Sequence, residues 1–138
     1  MLFKWKDAFS CNIREIDEQH QKLFKLGSDL NHLISLKDEF DRYDEIVGIL
    51  NELKEYTSYH FNFEEQLMEK YNFKELDEHK RAHEAFINKL NEIYSKDIDA
   101  NQSKVTMDIV IFIADWIEQH ILKTDQRYKT FLNEKGIF

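Results

Sequence analysis

Apolar residues recur along this chain at steps of three and four over four long stretches, and in each stretch the same steps land on polar side chains. In the first, the series is Ile13, Ile16, Leu23, Leu30 and Ile34, and it passes through His20 and Gly27. That spacing predicts an amphipathic helix running to about Leu36, with Asn12 as its N-cap and Glu15 three residues on. In the second, Ile46, Leu50, Leu53, Thr57, His60, Glu64, Leu67 and Tyr71 predict a helix from about Tyr43 to Tyr71. The third series, Leu76, His79, His83, Phe86, Leu90 and Ile93, predicts a helix from about Leu76 to Tyr94. The fourth, Val105, Ile109, Phe112, Trp116 and His120, predicts one from Lys104 to about Leu132. There the phase slips: Asp125, Tyr128 and Leu132 come one residue late, which predicts a widened turn or altered winding near 121–125.

Between these series lie short polar connections at 37–42, with Asp41 as a cap, at 72–75, and at 96–103, with Ser103 as a cap. Residues 1–11 read as a non-helical arm that Phe3, Trp5 and Phe9 pin to the body, and Gly136 ends the last helix. Short connections make consecutive helices antiparallel neighbours. The expected fold is therefore all-α: one domain over residues 1–138, an antiparallel up-down-up-down four-helix bundle with an N-terminal arm. Three glycines and no proline suit long helices. Gly27 in mid-helix costs about 1 kcal/mol against alanine, a cost that the close approach of a helix or bulky side chain would offset.

Five histidines and two carboxylates on these series change the picture. A single histidine on an apolar face is usually a satisfied core residue. A two-per-heptad seam covers about 2/7 of helix positions, so chance placement of five of six histidines on it is about one in a hundred. The off-seam sixth, His32, reads as a surface residue. Buried polar groups left unpaired cost about 1–3 kcal/mol each, and carboxylates more. Seven together rival a whole domain's stability of about 5–15 kcal/mol. In an up-down bundle, the start of the first helix, the end of the second, the start of the third and the end of the fourth meet at one end. His20, His60, Glu64, His79, His83, His120 and Asp125 lie there, and divalent metal would satisfy them jointly.

The spacing suits that chemistry. His60/Glu64 and His79/His83 are i,i+4 pairs that share a helix face. Asp125 follows His120 by five and on a regular helix points about a third of a turn away, a direction that suits a carboxylate shared between two metals. Seven ligands exceed the four of one zinc and suit two metals, and an imidazole-rich set suits iron. The Glu-x-x-His pairs of carboxylate-rich di-iron bundles are absent from the sequence.

The formal charge of -8 and pI of about 5.2 disfavour nucleic acid and anionic membrane as partners. The first residues lack the apolar core of a signal peptide, and no apolar run approaches a membrane span, so a cytoplasmic protein is expected. Cys11, the single cysteine, excludes an internal disulfide and reads as a passive small side chain.

Together these residues resemble the hemerythrin family in its bacterial single-domain form. The stretches that carry the likeness are Trp5…Phe9-Ser10…Ile13…Asp17…Gln19-His20, then His60-Phe61…Glu64-Glu65…Met68, then His79…His83, then Trp116…His120-Ile121…Asp125. They span about residues 3–134. The resemblance implies reversible O2 binding, for storage, delivery or scavenging, at two non-heme irons (Fe2+/Fe3+) joined by an oxo or hydroxo group. It implies that His79, His83 and His120 hold one iron and His20 and His60 the other, with Glu64 and Asp125 bridging. Trp116, Ile117 and Ile121 fall where the family has an apolar wall around O2. A carrier rather than an enzyme is expected, acting as a monomer or at most a weak oligomer. The alternatives are a sensor of O2, NO or redox state, and a di-iron enzyme acting on peroxide or nitric oxide. Glu65 and Asp17, beside ligand positions, read as solvated or ligand-orienting groups.

Overall fold

The computed structural model describes residues 3–36, 43–94 and 102–138, and among these no strand occurs. The helices are α1 (Arg14–Ser35), α2 (Tyr43–Lys70), α3 (Leu76–Tyr94), α4 (Gln102–Gln119) and α5 (Gln126–Glu134). A six-residue π-helix, His120–Asp125, joins α4 to α5, so the expected fourth helix is one rod with a wide turn inside it. The winding change read from the phase slip is therefore present. α1 packs on α2, α2 on α3, α3 on α4, and α4 back on α1. That cycle of sequential neighbours is the four-helix bundle the sequence predicts. The expected connections at 37–42, with the Asp41 cap, and at 96–101 lie outside the described residues. Among the described residues no helix is long and apolar enough to cross a membrane.

The start of α1 differs from expectation. Asn12 is not its cap: it sits in the left-handed region at φ 54°, and Ile13 occupies the cap position with no side-chain cap bond. Asp17, one turn into the helix, reaches back instead. Its carboxylate accepts hydrogen bonds from the Ser10 hydroxyl at 2.6 Å and the Cys11 amide at 2.8 Å. Asn12 is held across the molecule, where Asn133 accepts from its side-chain amide and donates to its backbone carbonyl. Ser103 likewise does not cap, since α4 is already helical at Gln102.

The arm is pinned as its aromatics suggest, although it includes one 3-10 turn, Asp7–Phe9. Trp5, Phe9 and Phe24 form a triangle of rings 5.1–5.8 Å apart. The Phe3 ring lies on Gly27, where an added Cβ would meet it at 2.3 Å. The bulky neighbour that Gly27 admits is thus Phe3.

Most of the expected series is buried, but Ile34, Leu67, Tyr71 and Leu76 are only half-buried, and the buried faces are broader than two positions per heptad. Gln19, Phe24 and Leu26 of α1, and Phe61 and Met68 of α2, are buried beside the expected series. On α4 the buried positions are Ile109, Val110, Ile113, Ala114 and Ile117. Phe112 and Trp116 are only half-buried, at the edge of the stripe, where both rings pack on Phe86 of α3. Two apolar clusters result. One contains Leu23, Leu30, Leu53, Phe61, Phe86, Ile113 and Ile121; the other contains Ile13, Ile16, Met68, Phe73, Tyr128 and Leu132. Along α1 the order is Ile16, His20, Leu23; along α2 it is Phe61, Glu64, Met68; from the π-helix onward it is Ile121, Asp125, Tyr128. A polar layer therefore crosses the bundle between two apolar ones.

The turn from α2 to α3 brings the second and third polar pairs to the same end. The Asn72 amide donates to Glu69 O and the Phe73 amide to Met68 O, with Asn72 at φ 58°. This is a Schellman closure with asparagine in the left-handed position. Gly136 at φ 84° closes α5 in the same way, with the Ile137 amide donating to Leu132 O.

Candidate metal centre

All seven side chains singled out in the sequence meet in the polar layer. His20, His60, Glu64, His79, His83, His120 and Asp125 are each at most 6 % exposed. Two subsets have ligand-type atoms within 4.8 Å of one another: Glu64, His79, His83, His120 and Asp125, and His20, His60 and Glu64.

The two carboxylates face both subsets. Glu64 turns Oε1 to His60 Nε2, in direct contact, and to His20 Nε2 at 3.4 Å. Its Oε2 faces His79 Nε2 at 3.6 Å and His83 Nε2 at 3.9 Å. Asp125 Oδ1 lies 2.8 Å from His79 Nε2 and 2.9 Å from His120 Nε2, and its Oδ2 lies 3.2 Å from His20 Nε2. Donor atoms about 2.1 Å from one octahedral ion stand about 3 Å apart. Most of these separations fall near that value.

The π-helix decides where Asp125 goes. On a regular helix a residue five positions on from His120 points away from it. The wider π turn, with its i→i+5 hydrogen bonding, brings Asp125 back to within 2.9 Å of the His120 ring. The winding thus returns Asp125 to its partner rather than leaving it a third of a turn off.

Several donors have no other employment. Glu64 Oε2, Asp125 Oδ2 and His20 Nδ1 are buried without a hydrogen-bond partner among the described residues. His83 Nε2 and His120 Nε2 stand 3.2 Å apart. Unpartnered carboxylate oxygens beside facing imidazole nitrogens are costly unless a cation lies among them, so the donor set fits divalent metal.

Charge balance without metal has a definite form. Burial acts to lower His79, but Asp125 and then Glu64 override it and hold this histidine at about 9. His20 is likewise raised well above the ordinary imidazole value, with Asp125 the main force opposing burial. Glu64 is held well below the usual carboxylate range against burial, chiefly by the neighbouring His60 and then His20. Asp125 is also lowered, with burial and Glu64 opposed by His120 and His20. His83 is lowered, because burial outweighs its carboxylate neighbours.

An outer ring of side chains aims the imidazoles. His83 Nδ1 donates to Glu65 Oε2 at 2.9 Å, the orienting role read for Glu65. His60 Nδ1 donates to Gln19 Oε1 at 2.6 Å. Asp17 serves the start of α1 and makes no hydrogen bond to a cluster histidine among the described residues. The Phe61 ring lies parallel to His83, and Trp116 stacks on His120 with centroids 4.2 Å apart. Ile117 and Ile121 are buried in the apolar cluster beside these rings. Gln19 and Phe61 carry roles the periodicity does not show. Gln19 falls one residue off the seam, and Phe61 reads as ordinary core beside His60. Cys11 is fully buried, with its thiol within 4.8 Å of a His20 ring nitrogen. Tyr128 is buried with its ring 5.5 Å from that of His79, whereas Tyr59 is exposed and Tyr56 only partly covered. His32 is exposed, as expected.

Comparison with known proteins agrees with the geometry. Residues 11–132 match the hemerythrin HHE cation binding domain. The chain is 40% identical over 129 residues to a bacteriohemerythrin of Clostridium acetobutylicum, covering 92% of this chain and 98% of that one. It is 33% identical over 138 residues to the bacteriohemerythrin of Stenotrophomonas maltophilia, covering 96% and 86%. It is also 33% identical over 131 residues to a hemerythrin-like protein of Naegleria gruberi, covering 94% and 93%. With a cation-binding pattern running through all four helices and a buried His/Glu/Asp cluster able to hold metal, the chain belongs to the hemerythrin family.

Proposed function

We propose that this protein binds O2 reversibly at a di-iron centre, as a carrier, store or scavenger rather than an enzyme. In this reading His20 and His60 hold one iron, and His79, His83 and His120 hold the other. Glu64 and Asp125 serve both, together with a solvent-derived oxo or hydroxo group. When bound, the iron pair supplies the electrons that O2 takes up on binding and returns on release. The observation that carries the reading is the division of carboxylate oxygens: each carboxylate turns one oxygen toward each histidine subset.

The chain's own residues supply the rest. The two-histidine subset has one imidazole fewer than the other, which leaves room for a ligand from outside. Ile117 and Ile121 are buried, and Trp116 covers the His120 ring, so this side of the layer is apolar and excludes water. An apolar surround slows proton entry and loss of a charged product, which favours reversible binding over turnover. Five neutral imidazoles and only two carboxylates leave the site cationic with two divalent ions, so less negative charge is available to drive bond cleavage in O2.

The test is anaerobic loading with ferrous iron, followed by metal quantitation and visible spectra before and after air. Two irons per chain, with a colour that develops in air and clears when O2 is removed, is the expected result. Sustained O2 consumption with excess reductant, far above slow autoxidation, would overturn the carrier reading.

A further inference from the structure

The outer hydrogen bonds on the two histidine subsets are not equivalent. On the three-histidine side, His83 Nδ1 donates to a carboxylate, Glu65 Oε2, at 2.9 Å, and Glu65 is only partly covered. On the two-histidine side, His60 Nδ1 donates to a neutral amide oxygen, Gln19 Oε1, at 2.6 Å, and Gln19 is buried. The other histidine there, His20, has no hydrogen-bond partner at Nδ1 among the described residues. The Cys11 thiol and the Asp17 carboxylate lie within 4.8 Å of it. Asp17 spends its two oxygens on Ser10 and Cys11, so no hydrogen bond passes its charge to the imidazole.

A carboxylate behind a metal-bound imidazole draws the Nδ1 proton toward itself and makes the other nitrogen a stronger donor, whereas an amide does so much less. We infer that Glu65 and Gln19 are positioning residues that make the two halves of the centre electronically unequal, with Glu65 enriching the three-histidine metal through His83 and Gln19 leaving the two-histidine metal poorer through His60. The inference rests on the ligand assignment proposed above. It goes beyond that assignment in saying which side is the easier to oxidise and which residues make it so. The consequence is directional: the electron-poorer side is the one with fewer imidazoles, so it keeps ferrous character while its partner is oxidised first.

The experiment uses the full chain, loaded with ferrous iron anaerobically, as the native sequence and as Glu65→Gln, Glu65→Asp and Gln19→Glu. Iron content is read first, because fewer than two irons in the native chain defeats the ligand assignment itself, whatever the outer ring does. With two irons bound, the ferric/ferrous equilibrium of the first oxidation is measured by spectroelectrochemistry. Glu65→Gln is expected to shift it about tenfold toward ferrous, about 59 mV upward for one electron. Gln19→Glu is expected to shift it in the opposite sense, and Glu65→Asp to stay near native. Shifts below twofold, or shifts of the same sign for the two charge changes, overturn the inference. A second readout needs no redox-active metal. In the zinc-loaded chain the His83 Nδ1 proton should resonate downfield of the His60 one, and Glu65→Gln should abolish the difference. Equal resonances in the native zinc form overturn the inference even if a variant fails to retain iron.

Discussion

The ring of Phe61 lies on the imidazole of His83 with centroids 3.8 Å apart and planes 1° from parallel. Together with the hydrogen bond from His83 Nδ1 to Glu65, this fixes both the plane and the tautomer of one cluster histidine from within a single helix, since Phe61 and Glu65 are one turn apart on α2. Phe61→Leu keeps the site apolar while removing the flat surface. It is expected to cost about 1–3 kcal/mol of stability, in the usual range for a buried change. It should also speed iron loss to a chelator several-fold relative to Leu90→Val, a control in the same apolar cluster remote from the site. Equal chelation rates for the two variants would reduce the stack to ordinary packing.

Metal and protons compete for the same nitrogens. Metal-free, His79 sits at about 9 and His20 well above its ordinary value, so both are charged at pH 7. A metal accepts only neutral imidazole. Loading at pH 7 is therefore expected to release about two protons per chain, read by calorimetry in buffers of different ionisation enthalpy. No release would mean that these histidines are already neutral.

The same shifts set the pH window of the metal-free fold. His79 is raised, so its contribution is fully present below about pH 6.5 and is lost as pH rises toward 9; the loss is up to about 3 kcal/mol. Glu64 and Asp125 are lowered, so their contribution is present above the ordinary carboxylate range and is lost as pH falls below it. Denaturant midpoints of the metal-free chain should peak at mildly acidic pH and decline by pH 9. A midpoint that rises steadily to pH 9 would contradict this.

How much was legible in the sequence follows from what periodicity encodes. Steps of three and four report which face of a helix is buried, and His20, His60, Glu64, His79, His83 and His120 occupy core positions, so these six stand out directly. The one-residue slip before Asp125 betrayed the π-helix, because an extra residue in a winding shifts every later side chain. Asn12 does not cap because its backbone sits in the left-handed region and its side chain is held by Asn133, a partner from the far end of the chain. Gln19 was missed because it lies between the seam and solvent, a position that periodicity scores as neutral and only the neighbouring His60 makes meaningful. The partner of Gly27 was unreadable for another reason: Phe3 reaches it from a segment with no helical phase.

That contact makes a clean double-mutant test. Alanine at position 27 would gain about 1 kcal/mol of helix propensity. Its Cβ would also fall 2.3 Å from the Phe3 ring, so the ring must leave. Gly27→Ala alone is expected to be neutral or destabilising and to loosen the arm. In a Phe3→Ala background the same change should stabilise by up to about 1 kcal/mol. Additive effects across the cycle would show that arm and glycine are not coupled.

Ile121 is 2 % exposed and immediately follows His120, and Ile117 lies one turn earlier on the same face. Ile121→Val removes one methyl group and should cost about 0.5–1.5 kcal/mol, too little to unfold the bundle. The gap it leaves opens the layer to water and to the proton that accompanies oxidation. The air-developed colour of the iron-loaded chain should therefore bleach faster than in the native chain, and Ile117→Val should act in the same sense. The distinguishing control is Ile109→Val, which removes the same methyl from the same cluster about two turns earlier along the helix than Ile117→Val does. It should leave the bleaching rate unchanged despite a similar stability loss. If all three variants bleach alike, global loosening accounts for the decay, and the residues beside His120 have no special part in keeping water out.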